Sequence, residues 1–413
     1  MRISPRRRLL PIALLLAACA STEESQGPPP LLTALPRALS TAETRMVGAG
    51  NQLGFDLLHE ARHGAEDVNL FLSPLSVSMA LGMALNGAAS TTLDSMRVAL
   101  RLADVPLDEI NQGYRSLIDL LQGLDASSRF QIANSIWAHS GIPFLPAFLT
   151  AGRTHFDAEV RSVDFGAPAT LGAINDWVSA TTNGKIPSIL DDVAVDEVMF
   201  LINAIYFKGS WRAAFDPRQT QNAPFHAADG STQSVRTMRL EPDLQRYAST
   251  RDFEMVELLY GNGAFAMDIV LPRADRSLAD VTDDLDANRW AEWVGDLHDR
   301  EIGLALPKFT LEYQRLLKDD LAALGMRIAF DPARADFSGM ADVAPERLYI
   351  TKVIHKTFVD VNEEGTEAAA ATSVGVGVTS APQTMQIDRP FLFVIRERLT
   401  GAILFLGQLT RVP

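Results

Sequence analysis

Residues 361–382 read VNEEGTEAAAATSVGVGVTSAP, and this segment decides how the rest of the chain is interpreted. It follows an alternating apolar run, carries no charge after Glu367 and contains no large side chain. It belongs to a connection of about 25 residues, and connections beyond ~12–15 residues are usually functional or disordered. In an extended chain, alternate residues point to opposite faces. One face of this segment would carry small and mostly apolar side chains: Thr366, Ala368, Ala370, Thr372, Val374, Val376 and Val378. The segment could therefore form a β-strand although it is placed as a loop; a flexible loop, or a short helix over 367–371, is the alternative.

Composition narrows the class of protein. The chain has 413 residues, of which 47% are hydrophobic and 21% charged, as is typical of a globular protein. Its formal net charge is −14 at pH 7, and because an acidic surface repels phosphate backbones, nucleic acid is not expected as a partner. The single cysteine, Cys19, excludes both an intramolecular disulfide and a cysteine-rich zinc site.

The N-terminal residues 1–20, MRISPRRRLLPIALLLAACA, have the pattern of an export signal. An arginine cluster precedes an apolar run that is too short to span a bilayer. The run ends at Leu-Ala-Ala-Cys19, which resembles the bacterial lipoprotein box, in which the cysteine thiol carries lipid. We therefore expect a signal peptide over 1–18, a lipidated Cys19 with a disordered tether over 19–40, and one domain over 41–413. The protein would be anchored at a bacterial outer membrane, in the periplasm or at the cell surface; an ordinary secretory leader is the alternative.

Apolar periodicity predicts mostly helices early in the chain and mostly strands later, without regular β-α-β alternation, which favours an α+β fold. One helix is predicted from Gln52 to Gly64, and another between the cap Ser73-Pro74 and Gly87. Val198–Phe207 and Leu348–Val361 are predicted strands. Gly261-Asn262-Gly263, between two further apolar runs, is typical of a hairpin turn.

Catalytic motifs are weak. His59-Glu60-Ala61-Arg62-His63 formally matches the zinc motif H-E-x-x-H, but Gly64 ends the helix and no third ligand follows. A zinc hydrolase is therefore only a minor alternative, and no metal or cofactor is expected. The sequence has no G-x-S-x-G, and no lysine follows a serine by three positions, so serine hydrolase signatures fail. His355 lies on an apolar strand face and is interpreted as a buried structural histidine.

Several stretches resemble the serpin family over roughly residues 45–413. They are FLSPLS at 71–76, NAIYFKGSW at 203–211 and VNEEGTEAAAA at 361–371, with PKF at 307–309, DFSGM at 336–340 and DRPF at 388–391. The resemblance implies a fold of three β-sheets with eight or nine helices and an exposed reactive-centre loop. It also implies a protein that is not an enzyme and acts as a monomer.

The implied function is inhibition of a serine endopeptidase by a suicide mechanism, in which the protease cleaves the loop and the freed segment inserts into the largest sheet as a new strand. The protease is carried along as a covalent acyl-enzyme. The implied hinge comprises Glu363, Gly365, Thr366, Glu367, Ala368, Ala369, Ala370 and Ala371. The positions that match the family's shutter and breach, where the sheet opens, are Ser73, Ser76, Asn203, Trp211 and His355. Thr366 is expected to be exposed before cleavage and to enter the sheet first.

Family spacing places the reactive bond at Thr379–Ser380, with Val378 as a neighbouring candidate. Threonine after valine suits proteases with small or aliphatic primary pockets, such as elastase-like and subtilisin-like enzymes. A papain-like cysteine protease, which could accept Val378 in its second subsite, is an alternative target. A non-inhibitory carrier or chaperone is the alternative function.

Overall fold

A computed structural model describes residues 29–65, 67–366 and 383–413. Cys19 and the leader, the hinge residues Glu367, Ala368, Ala369, Ala370 and Ala371, and the candidate bond at Val378, Thr379 and Ser380 lie outside the described residues. Of the predicted site, the described part holds the start of the hinge and all the shutter and breach positions.

Nine α-helices are found in the described ranges. The first begins 11 residues before the predicted start at Gln52, because Ser40 and Glu43 form a reciprocal capping box. The second begins after the predicted cap, Ser73, whose side chain accepts a hydrogen bond from the Ser76 amide. The helices are α1 Thr41–Arg62, α2 Pro74–Leu85, α3 Ser90–Ala99, α4 Leu107–Gln122, α5 Pro146–Phe156, α6 Ala169–Thr181, α7 Leu278–Thr282, α8 Ala287–Gly295 and α9 Lys318–Leu321.

The strands come mostly later in the chain, as predicted for an α+β fold. The early ones are β1 Leu70–Leu72, β2 Arg129–His139, β3 Glu159–Val163, β4 Met199–Ser210, β5 Gln221–His226, β6 Thr232–Ser249, β7 Phe253–Leu259 and β8 Phe265–Pro272. The late ones are β9 His298–Pro307, β10 Phe309–Leu316, β11 Ile354–Asn362, β12 Gly365–Thr366, β13 Thr384–Gln386, β14 Phe391–Glu397 and β15 Ile403–Leu409. The hairpin turn at Gly261-Asn262-Gly263 is confirmed between β7 and β8.

Backbone pairing joins these strands into two continuous sheets, where the sequence led us to expect three. The nine-stranded sheet has the order β1-β15-β14-β8-β7-β6-β9-β13, with β5 paired to β6. It is continuous because β6, with 18 residues, is long enough to pair with β5, β7 and β9 along its length. A register shift between Leu240 and Asp243 bends this shared strand.

The six-stranded sheet has the order β10-β11-β12-β4-β2-β3 and holds the hinge. Its strand β11 begins at Ile354, so the predicted strand start at Leu348 is wrong. The backbone of 348–353 bonds elsewhere: the Ile350 amide donates to Ala329 O, and Val353 O accepts from the Leu317 amide. These residues therefore do not extend the sheet.

The helices and both sheets enclose a core rich in phenylalanine. The ring of Phe71 stacks between those of Phe393 and Phe405, at centroid distances of 5.4 and 5.1 Å. Helix α2 is almost entirely buried and contacts both β4 and β15. It therefore lies under the part of the six-stranded sheet that borders the hinge.

The end of the predicted tether packs on the body. The Leu32 amide donates to Asn262 O at 2.7 Å, and Arg212 Nη1 donates to Pro29 O at 2.7 Å. Leu32 and Leu35 pack against the core. The disordered tether was predicted to reach residue 40, but these apolar side chains fix its last part. In the described ranges, no helix is both long and apolar enough to cross a bilayer.

Candidate functional site

The start of the hinge is already a strand. Gly365 and Thr366 form β12, which pairs antiparallel with β11 on one side and with β4 on the other. Thr366 lies opposite Val361 and Gly209, and its side chain is only 3% exposed. The expectation that Thr366 is exposed before cleavage is therefore wrong. A charged substitution such as Thr366→Arg would place an unpaired ion in the interior of the intact protein as well as of the inserted form.

A buried hydroxyl pair fixes Thr366. Its Oγ1 lies 2.6 Å from the hydroxyl oxygen of Tyr260, which is itself fully buried. Burial raises the pKa of Tyr260, so the phenol stays neutral and remains able to donate. The Tyr260 ring stacks on Trp211 at a centroid distance of 4.5 Å. The hinge thus rests on an aromatic pair whose members directly follow the ends of β7 and β4.

Only glycine fits at position 365, where the hinge enters the sheet. Its φ is +150°, and a Cβ at this position would lie 2.0 Å from Gly209 O and 2.8 Å from the Ser210 Cα. Because both neighbours are backbone atoms of β4, a side chain would force the strands apart.

Trp211 holds the chain just before β12. Its indole Nε1 donates to Asn362 O at 2.9 Å, and its amide donates to Glu364 O at 2.9 Å. The Phe215 amide donates to Glu363 O at 2.9 Å. Three consecutive carbonyls just before β12 are therefore satisfied by the segment that follows β4, where the family's breach was expected.

Glu363 adds a charged anchor. Its carboxylate pairs with Lys308 Nζ at 2.6 Å and accepts a hydrogen bond from Thr220 Oγ1 at 2.7 Å. Burial by itself raises the pKa of the Glu363 carboxyl, but these hydrogen bonds outweigh burial and hold the pKa below its usual range. The carboxylate therefore stays ionised near neutral pH and ties the hinge to Lys308, between β9 and β10.

Below Thr366, β4 and β11 form no backbone pairs with each other in the described residues. A small cavity lined by Thr366, Ile205, Phe207 and Val359 lies directly beside β12. A larger cavity of about 260 Å³ follows, between the start of β4 and residues 348–356, with α2 as its floor. We call this gap between β4 and β11 the slot. Its flanking edges are suited to accept one more strand.

His355 closes the floor of the slot. It is 4% exposed, and its Nε2 accepts a hydrogen bond from the Ser73 amide at 3.0 Å. The Ser73 hydroxyl donates to Leu404 O at 2.7 Å. Two residues further along β11, the Thr357 hydroxyl donates to Phe71 O at 2.6 Å. These contacts tie β11 to β1, to the start of α2 and, through Ser73, to β15, so β11 can shift only if they break or move together.

On the other side of the slot, Asn203 connects β4 to its neighbours. The Ser76 hydroxyl lies 3.5 Å from Asn203 O, at the limit of a hydrogen bond. The Asn203 amide nitrogen donates to Asn134 Oδ1 at 2.7 Å, and Asn134 donates in turn to Phe156 O at 2.6 Å. The structure thus brings Ser73, Ser76, Asn203 and His355 together beneath the slot.

The zinc motif forms no site. His59 Nε2 lies 3.1 Å from Thr282 O, while His63 is exposed at the end of α1. The described ranges contain no group of three or more His, Cys, Asp or Glu side chains that could hold a metal ion.

A family model described as serpin (serine protease inhibitor) matches residues 48–412. The chain belongs to the serpin family. It is 35% identical to Iripin-2 of Ixodes ricinus over 90% of this chain and 94% of that protein. It is 33% identical to the leukocyte elastase inhibitor of Homo sapiens over 88% and 98%. The structure of the thermophilic serpin tengpin in its native state superposes with a TM-score of 0.82 at 27% identity, over 94% and 98% of the two chains. The predicted serpin fold is therefore confirmed.

Several residues that hold the site of this serpin were not predicted from the sequence. Tyr260, Thr220 and Asn134 are 106, 143 and 69 positions from Thr366, Glu363 and Asn203, the residues they hold. Local periodicity gives no signal for such pairs. Lys308 was part of a family motif, but its partner Glu363 lies on a distant segment.

Protonation of His355 should weaken this serpin in mild acid. Burial lowers the pKa of His355 to about 4, whereas the unfolded chain has the ordinary value near 6.5. Between these values the unfolded state binds more protons, so the free energy of unfolding should fall as pH decreases from about 6.5 to 4, by about 3 kcal/mol in total. Urea unfolding of the wild type and His355→Gln across this range measures the difference. If both proteins lose stability with the same pH slope, His355 does not carry this dependence.

Proposed function

We propose that this serpin inhibits serine endopeptidases as a suicide substrate, and the observation that carries the proposal is the position of β12. Gly365–Thr366 already pairs with both β4 and β11 at one end of a slot that has room for a longer strand. The segment that follows in the sequence is small and mostly apolar on one face, so it can continue β12 without burying charge. The family description and the elastase inhibitor among the relatives support the same function.

The chemistry requires only the protease's own catalytic groups. The protease serine attacks the carbonyl of Thr379, the peptide bond breaks, and the amine of Ser380 leaves as the acyl ester forms. The chain N-terminal to the bond is then free to enter the slot, because it is no longer held at its far end. The attached protease moves with the ester before water can hydrolyse it, and its displaced active site is left unable to complete deacylation.

We infer an elastase-like or subtilisin-like target from the residues next to the bond. Val378 and Thr379 offer small β-branched side chains, which suit a small or aliphatic primary pocket. A basic side chain, which trypsin-like enzymes require in that pocket, is lacking at both positions.

Pancreatic-type elastase or subtilisin should form a covalent, denaturant-resistant complex with the protein, visible as a larger band on a denaturing gel. Trypsin should form no complex through the same bond. Thr379→Arg should shift complex formation towards trypsin, because it supplies the primary side chain that trypsin binds. The peptide released by elastase should begin at Ser380 by mass spectrometry. A first residue outside 376–382 would contradict the assignment of the reactive bond.

Two arginine substitutions in the hinge, one on each face, test the insertion step. Ala370 shares the inward face with Thr366, whereas Ala371 falls on the opposite face. Ala370→Arg should carry an unpaired charge into the slot, so insertion should fall behind deacylation and the protease should be released active. Ala371→Arg should still trap the protease. Equal trapping by the two variants would reject insertion along this register.

We also propose that the exported chain is a lipoprotein modified at Cys19 and held at a bacterial outer membrane or cell surface. The support is the sequence of residues 1–20 alone, with its arginines, short apolar run and Leu-Ala-Ala-Cys19. A multiply acylated cysteine would bind a membrane stably, because each buried methylene contributes about 0.8 kcal/mol. A protease inhibitor so anchored would act outside the cytoplasm.

Cys19→Ala should move the protein from the detergent phase to the aqueous phase in Triton X-114 partitioning, because the thiol that carries the lipid is lost. The leader should remain functional, so the variant should still be exported. Equal partitioning of both forms would mean that residues 1–18 act only as a secretion signal.

A further inference from the structure

The C-terminal end of the reactive loop leads into a short strand. Gln383 is the first described residue after the loop, and β13 follows it with only three residues paired in parallel to β9. The backbone of Gln383 joins this edge as well, since its carbonyl oxygen accepts from the Gly303 amide at 3.0 Å. Three paired residues attach only weakly a loop to which a protease must bind.

The Gln383 side chain adds a second attachment. Its Oε1 accepts from Arg300 Nη2 at 2.8 Å, and its Nε2 donates to Glu254 Oε1 at 3.3 Å. The Arg300 guanidinium lies over the Tyr247 ring, 5.0 Å from its centroid. Glu254 also accepts from the Tyr247 hydroxyl and pairs with Arg273 at 3.2 Å. Both partners of Gln383 are therefore themselves fixed.

Arg300 is directed at the loop rather than at an acid. Its side chain is exposed, and within the described ranges it forms no ion pair; its hydrogen bond goes to the neutral amide of Gln383. A planar guanidinium stacked on an aromatic ring presents its N–H groups in a fixed direction. This arrangement orients Gln383 more than it neutralises charge.

This attachment matters because Gln383 is close in sequence to the proposed reactive bond. Ser380 precedes Gln383 by three residues, and a fully extended chain covers at most about 3.3–3.6 Å per residue, so Ser380 lies within roughly 11 Å of Gln383. On the other side, Thr366 is 13 residues from Thr379. Along the chain, the reactive bond is therefore much closer to Gln383 than to Thr366.

We propose that Gln383, Arg300 and Glu254 form a positioning clamp that presents the C-terminal side of the reactive bond to the attacking protease. The clamp rests on the proposed function for its substrate, the loop bond at Thr379–Ser380. It holds Gln383, from which the chain leads back to the reactive bond, in one orientation before the protease arrives, so less conformational entropy is lost on binding. It governs how readily the bond is engaged, while the hinge on the opposite side governs whether the protease is trapped.

Gln383→Ala should therefore slow cleavage of the loop by elastase about threefold to tenfold, the range expected for losing one or two hydrogen bonds at the surface. The loss should be in the half-saturating concentration, with the limiting rate of cleavage and the trapped fraction unchanged. Gln386→Ala is the matched control, because Gln386 is an exposed glutamine of β13 whose side chain makes no hydrogen bond within the described ranges. Equal rates for the two variants would overturn the proposal.

A double-mutant cycle tests the contact itself. If Arg300 acts through Gln383, then Arg300→Ala should slow cleavage to a similar extent, and the double variant should be little slower than either single variant. If the rate reductions of the two single variants multiply in the double variant, the two residues act independently, which would also overturn the clamp. Unchanged urea unfolding of the single variants would confirm that the slower cleavage does not arise from a damaged fold.

Failure of the clamp and failure of the proposed function give different experimental results. Loop cleavage is measured as the appearance of a fragment, so it needs no covalent trapping. If the wild type is cleaved but never traps the protease, the suicide mechanism fails while the clamp is still measured. If the wild type traps the protease but Gln383→Ala is cleaved as fast as the wild type, only the clamp fails.

Discussion

The edges of β4 and β11 that face the slot have no strand partner beyond Gly365 and Thr366 among the described residues, and the rest of this molecule depends on that constraint. Strand β4 pairs with β2 along its length, and β11 pairs with β10, but across the slot the two meet only through Gly365 and Thr366. Backbone N–H and C=O groups that lack strand partners are a favourable template for another strand. The intact protein therefore stores a favourable pairing that cleavage of the loop can complete.

The contacts around the slot divide into those that start insertion and those that restrain it. Trp211, Tyr260 and the Glu363–Lys308 pair hold the first hinge residues in the sheet, so that insertion begins from a formed nucleus. The bond between His355 and Ser73 ties β11 to the helix beneath and must accommodate any widening of the sheet. Because His355 is buried and neutral, this restraint is fixed by shape and hydrogen bonding rather than by charge.

Local sequence signals predicted those parts of the fold that local physics decides. The Ser73–Pro74 cap, the glycine-rich hairpin turn and the buried strand β4 follow from capping, turn chemistry and periodicity, and the structure has them. The strand start at Leu348 was wrong because its periodicity reflects burial against the larger cavity and α2, not membership of the sheet. The register of Thr366 was missed because its partners, Tyr260 and Gly209, come from distant parts of the chain. Such pairings are decided by tertiary packing, which alternation along one strand does not encode.

Amide hydrogen exchange of the intact and loop-cleaved protein tests the central claim most directly, because it reads the slot edges themselves. In strands β4 and β11, alternate amides face the neighbouring strand and alternate amides face the slot. Within residues 199–208 and 354–360, the slot-facing amides should exchange readily in the intact protein and become strongly protected after cleavage, while the other amides should change little. Unchanged exchange at the slot-facing positions after complete cleavage would show that no strand enters the slot, and would contradict the account.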